Sequence, residues 1–149
     1  MYLPVSSHIV TRTLLGLTLF GALSAFAGAF IAIFLNGGGV PVAYLKNTPF
    51  TSYLVPGLIL GVVVGGTQLA AAVALLTKHR IALLLSAFAG FGMLIWIFVE
   101  LVMIRQYSWL QSAYFSLGGL ELILVLVLLG IVPTFVTPLR DEKNASSTL

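Results

Sequence analysis

The chain has 149 residues, 60% of them hydrophobic and only 7% charged, with a formal net charge of +3 and a mean hydropathy of +1.13. A soluble domain carries about 25% charged residues, so this surface cannot face water, and lipid is the solvent that removes the contradiction. The seven basic residues form no stripe of the kind that binds nucleic acid, and the absence of cysteine excludes disulfides, thiol relays, iron–sulfur clusters and thiolate metal sites.

Four apolar runs are each long enough to cross a hydrocarbon core about 30 Å thick, which takes roughly 20 helical residues. Backbone groups in lipid must bond within their own segment, so the runs predict helices. The predicted fold class is an all-α membrane protein. A single four-transmembrane-helix bundle occupies residues 1–139, and a polar cytoplasmic tail follows at 140–149.

The first span covers about Thr13 to Leu35. Arg12 and Ala25-Phe26-Ala27 imitate the basic flank and cleavage site of a signal peptide, but the apolar run continues unbroken from Gly28 to Leu35. That predicts a retained helix, with Gly21, Ala25 and Ala29 as a small-residue stripe. In the following segment, from Asn36 to Tyr53, Gly37-Gly38-Gly39, Pro41 and Pro49 argue against regular structure over its whole length.

The second span, about Leu54 to Leu76, carries Gly57, Gly61 and Gly65 at four-residue spacing. At 100° per residue these cover about 80° of the helix circumference and form one groove, with Gln68 and Ala72 in the same sector. Small residues let helix backbones approach closely in lipid, which predicts a tight helix contact; a groove open to a lipid tail or quinone-like ligand is the alternative. The turn Thr77-Lys78-His79-Arg80 is so short that spans two and three must form an antiparallel hairpin.

The third span, about Ile81 to Ile104, has a stripe of Ala82, Ser86, Gly90, Met93, Ile97 and Glu100, which places Glu100 on a packing face. The fourth covers about Ala113 to Val136. Ahead of it and at its start, Tyr107, Trp109, Tyr114 and Phe115 suit a headgroup-level aromatic belt. Its aliphatic stretch Ile123–Leu129 predicts the most lipid-exposed helix, docked mainly through its outer end. Arg12, Lys78, Arg80, Arg140 and Lys143 fall on one side of the membrane, Lys46 and Arg105 on the other. That bias predicts cytoplasmic termini, in a bacterial plasma membrane.

Glu100 and Glu121 are the only acids before the tail, and a carboxylate inside a span normally faces protein or a water-filled cavity. Counting 1.5 Å per residue from the span ends puts Glu100 roughly 6 Å deep, Glu121 roughly 12 Å and Gln68 roughly 21 Å. Depth therefore predicts one outer-half polar site of Glu100, Glu121 and Arg105, with Gln68 out of reach. Its role is either a clasp that sets helix register or a site for protons, cations or a ligand. His8 and His79 sit at span ends, so neither haem nor zinc chemistry is expected, and no cofactor or metal is predicted. Gly37-Gly38-Gly39 lacks the Lys and Ser/Thr of a phosphate loop, and no Ser/His/acid set shares a depth; no catalytic residues are predicted.

The stretch Pro56-Gly57-Leu58 through Gly65-Gly66-Thr67-Gln68-Leu69-Ala70-Ala71, then Leu75-Leu76 and Arg80-Ile81-Ala82, resembles the DoxX-like membrane proteins. In that family an outer proline-containing loop leads into a glycine-rich second helix that ends at a short basic turn. The resemblance implies a four-helix bundle, often an accessory subunit near quinone-linked redox systems. Glu100 and Glu121 match no functional motif of the family, so no residue role is carried over. The expected function is a non-catalytic accessory or assembly subunit of a larger membrane complex, whose partners are the bilayer and other membrane subunits or further copies of the chain. The alternative is a small transporter or channel for protons, cations or a small ligand that uses Glu100 and Glu121.

Overall fold

A computed structural model describes residues 6–131; the polar tail and its Arg140 and Lys143 lie outside them. Four helices, α1 (Ser7–Phe34), α2 (Leu54–Leu76), α3 (Ala82–Ile104) and α4 (Trp109–Leu128), are each long and apolar enough to cross a membrane. No strand occurs among the described residues. The chain is an integral membrane protein by this measure.

Helix α1 begins at Ser7, well before the apolar run at Thr13. The Ser6 hydroxyl accepts from the His8 N–H at 3.3 Å and caps the helix, so its polar first turns stand beyond the apolar part of the span. Residues Asn36 to Gly39 all take positive φ, a sharp reversal that leads into a loop whose one regular piece is a 3-10 turn at Val42–Leu45. This loop folds back on the bundle. The Tyr53 N–H donates to Asn36 Oδ1 at 3.3 Å, and the Tyr53 hydroxyl donates to the Pro41 carbonyl at 3.1 Å. A Cβ on Gly37 would meet the Tyr53 ring at 2.6 Å, so the closure needs glycine both for space and for its φ of 90°. Burial pushes the Tyr53 phenol above its ordinary range, with Tyr44 and Glu100 adding to it, which keeps the hydroxyl proton in place for that bond.

Helix α2 is not α-helical throughout. Leu60–Gly65 forms a π-helical segment, closed by the Gly66 N–H on the Gly61 carbonyl, and the Thr67 hydroxyl donates to the carbonyls of Val63 (2.7 Å) and Val64 (3.1 Å). The glycine groove faces α1. Cβ atoms at Gly57, Gly61 and Gly65 would lie 2.7 Å from Ala32 Cβ, 3.0 Å from Ala29 Cβ and 2.8 Å from the Phe26 ring. At the far end Lys78 adopts a left-handed φ of 52°, and the His79 N–H reaches back to the Ala74 carbonyl at 2.8 Å. This Schellman-type closure lets α3 start at Ala82 and run back beside α2.

Helix α4 departs most from the sequence expectation. It starts at Trp109 instead of Ala113, because Ser108 and Gln111 form a capping box. It closes at Leu128 instead of Val136. Gly130, at φ 71°, lets the Ile131 N–H bond the Leu126 carbonyl (3.2 Å) and its own N–H bond that of Val127 (3.1 Å), the pattern of a Schellman stop. Of the four spans α4 is the least covered by its own chain, with 22% of its most apolar window buried against 39% in α2. It docks along its length, not only at its start, through Gln111, Gly118, Glu121 and Val125.

The tightest crossing is between α3 and α4, where Cβ atoms at Gly90 and Gly118 would meet the opposite glycine's carbonyl oxygen at 3.1 and 2.9 Å. Backbone cannot retreat as a side chain can. Gly118→Ala is therefore expected to destabilise the bundle by about 1–3 kcal/mol, as overpacking does. Gly119→Ala, whose added Cβ meets nothing within 4 Å, is the neighbouring control and should leave the thermal midpoint in detergent unchanged or higher. Equal midpoints for the two variants would contradict this crossing.

Candidate functional site

Polar side chains inside the bundle occur at two levels. The deeper level joins α2 to α4: Gln68 Nε2 donates to Glu121 Oε2 at 2.9 Å, and it also faces the Ala89 carbonyl on α3 at 3.5 Å. Gln68 and Glu121 are both fully buried. Helix α1 contributes space, since a Cβ at Gly21 would stand 2.8 Å from Gln68 Cδ. Apolar clusters close this level above and below. Ala25, Val64 and Met93 pack towards the loop end, while Leu14, Ala74, Leu75, Ala82 and Val125 pack towards the opposite end. Thr18 and Ser86 are fully buried as well, but each hydroxyl is spent within its own helix, on the carbonyls of Leu15 and Ala82.

The depth count that separated Gln68 from Glu121 fails because α4 begins earlier than the apolar pattern indicates. Glu121 is twelve residues into α4, roughly 18 Å, and Gln68 fourteen into α2, roughly 21 Å, so they share a level. Glu100, four residues from the end of α3, stays roughly 6 Å deep. The two glutamates therefore occupy separate sites. Arg105 joins neither: it is exposed, takes a left-handed φ of 53° and caps α3 through its backbone N–H on the Leu101 carbonyl.

The shallower level is built around Glu100. Its Oε1 accepts from Gln111 Nε2 at 3.2 Å, while Gln111 Oε1 accepts the Ser108 N–H at 2.9 Å. One buried glutamine thus starts α4 and holds the carboxylate of α3. The Trp96 indole lies beside the same carboxylate, one turn earlier on the helix. Ser108-x-x-Gln111 is a legible capping signature, and reading it would have corrected both the α4 start and the depth of Glu121.

A cavity of about 530 Å³ opens beside Glu100, bounded by α1, the 35–53 loop, α2 and α3. The π-helical segment supplies part of its wall through Leu60, Val63 and Val64, and Tyr53 and Phe50 enter from the loop side. Among the described residues Glu100 is its one charged lining residue, and Thr48, Tyr53 and Trp96 also bring polar side-chain atoms. The Thr48 and Tyr53 hydroxyls already donate to backbone carbonyls of the loop, at Leu45 and Pro41. Glu121 does not line this cavity. Among the described residues no group of three or more His, Cys, Asp or Glu side chains is placed to hold a metal ion.

Comparison with family models, curated proteins and solved structures gives no match to this chain.

Gln68 Oε1 and Glu121 Oε1 are buried without a hydrogen-bond partner among the described residues, so the pair is sensitive to losing its one good bond. Gln68→Leu and Glu121→Leu should each destabilise the fold by about 1–3 kcal/mol, since each leaves a buried polar partner unpaired. The double variant should cost less than the sum, with a coupling of about 1 kcal/mol. Equilibrium unfolding of the four proteins in one detergent measures it; strict additivity would contradict the bond.

Proposed function

We propose that this chain is a small integral membrane protein that holds a compact, largely apolar molecule in its loop-end cavity, with no reaction chemistry of its own. The carrying observation is the cavity. At about 530 Å³ it falls within the range of small-molecule sites, and its walls are apolar apart from a few fixed polar groups and one carboxylate. This develops the transport or ligand-binding expectation while dividing its two acids. Glu100 belongs to the ligand site, and Glu121 with Gln68 forms a clasp between helices.

An accessory role in a larger membrane complex is the second reading. It is favoured by α4, whose largely uncovered surface is free for lipid or for another subunit. The excess of basic residues on the terminal side supports cytoplasmic termini in a bacterial plasma membrane, and in that orientation the loop-end cavity would lie in the outer half. The DoxX-like resemblance in α2 agrees with a four-helix accessory protein.

The ligand-binding reading is tested with Trp96 as reporter. The chain has two tryptophans, so Trp109→Phe leaves the cavity indole as the sole emitter. In nanodiscs, a neutral ω-bromoalkanol should quench Trp96 saturably. Gly92→Leu extends a side chain from the cavity wall, where an added Cβ meets only Thr67 Oγ1 at 3.8 Å, and should abolish the saturable part. Quenching that stays linear, or is unchanged by Gly92→Leu, overturns this reading. For the accessory role, the full chain extracted in mild detergent should travel with other polypeptides in stoichiometric amounts; recovery of a lone homo-oligomer would overturn it.

A further inference from the structure

The chemistry of the cavity wall selects among apolar ligands. Among the described residues Glu100 is the one charged residue that lines it, and the groups around that carboxylate are an amide and an indole instead of a cation. Arg105, the nearest basic residue in sequence, is exposed and caps α3 through its backbone N–H. Among the described residues this carboxylate therefore has no basic partner. Trp96 stands one helical turn from Glu100 on the same face, and Tyr53 and Phe50 line the cavity from the loop side. A carboxylate beside aromatic rings is the pairing that recognises an ammonium group, by ion pairing and by attraction to the ring faces. The remaining wall, made of groups such as Leu60, Val63 and Ile95, offers only apolar contact. An anion would meet Glu100 unshielded, and a small hydrated metal ion would find one carboxylate where it needs several oxygen ligands.

We propose that the ligand of this cavity is a lipophilic ammonium: a positively charged nitrogen head seated on the cavity side of Glu100 and the adjoining Trp96, with its apolar body along the π-helical wall of α2. This rests on the ligand-binding reading above and adds the charge of the ligand to it. Gln111 is a positioning residue in this arrangement, because its amide holds one oxygen of a carboxylate that lines the cavity.

The test uses the full chain carrying Trp109→Phe, in nanodiscs of zwitterionic lipid, with Trp96 quenching as readout. An ω-bromoalkyl trimethylammonium is compared with the neutral ω-bromoalkanol of equal chain length, each referred to its mole fraction in the bilayer. The cation should half-saturate at about tenfold lower mole fraction, the advantage expected from a partly desolvated cation–aromatic and carboxylate contact. Glu100→Gln should remove that advantage while the alcohol's quenching stays saturable, which also reports that the variant is folded. Glu100→Asp should retain most of it, and serves as the charge test if Glu100→Gln does not fold. Equal binding of cation and alcohol overturns the ammonium assignment and leaves the cavity reading standing. So does a cation preference that survives Glu100→Gln. Absence of saturable quenching by both probes overturns the two together.

Discussion

A carboxyl group at the middle of an apolar bundle can find hydrogen-bond partners only on neighbouring helices, and this constraint organises the molecule around Glu121. Its partner Gln68 comes from α2, the Ala89 carbonyl of α3 faces the same amide, and Gly21 of α1 leaves the space in which that amide lies. All four helices thus meet at one level. The two long side chains reach across the bundle from α2 to α4, and small residues at Gly21 and at the Gly90–Gly118 crossing let the helices close around them. The apolar clusters on either side then exclude lipid and water from the pair.

Glu100 is the same residue type in the same kind of helix, yet its surroundings give it a different capacity. Its bond to Gln111 fixes one oxygen, and a cavity opens on its other flank. Glu121 is fully enclosed and can act on nothing outside the protein without the bundle opening. The division follows from depth. Near a helix end, the loop residues Phe50 and Tyr53 stand off from the spans and leave room; at mid-bundle the helices close on one another.

Most of the architecture was legible because lipid simplifies the code. Long apolar runs have one viable conformation there, so the number of spans and the ends of α2 follow from composition and breakers alone. The polar pairing was not legible, for a reason that can be stated residue by residue. An apolar run marks where lipid begins, but a helix begins where its first N–H groups find acceptors, at Ser6 in α1 and at Ser108 in α4. That difference displaced Glu121 by a full turn and broke the match with Gln68. The end of α4 was misplaced similarly, since Ile131 to Val136 continues the apolar pattern past the stop at Gly130. The fate of Arg105 had no signal, because basic side chains near span ends serve as caps, anchors or ion pairs with the same local sequence.

The π-helical turn in α2 has a consequence for how this helix tolerates change in length. A wider turn accommodates more residues per revolution, so it resets the angular phase between the glycine face before it and the Gln68 face after it. If Leu60–Gly65 took regular α geometry with its residue count unchanged, everything beyond would rotate by about 100°, and only deletion of one residue in the segment would restore the phase. Without that deletion Gln68 would swing out of the interior, although no residue that touches it had been altered. The hairpin turn at Lys78 would then be asked to deliver α3 from a different azimuth. Segment 60–65 is thus the gear that meshes two halves of one helix, and the spacing of this span is constrained as strongly as its composition.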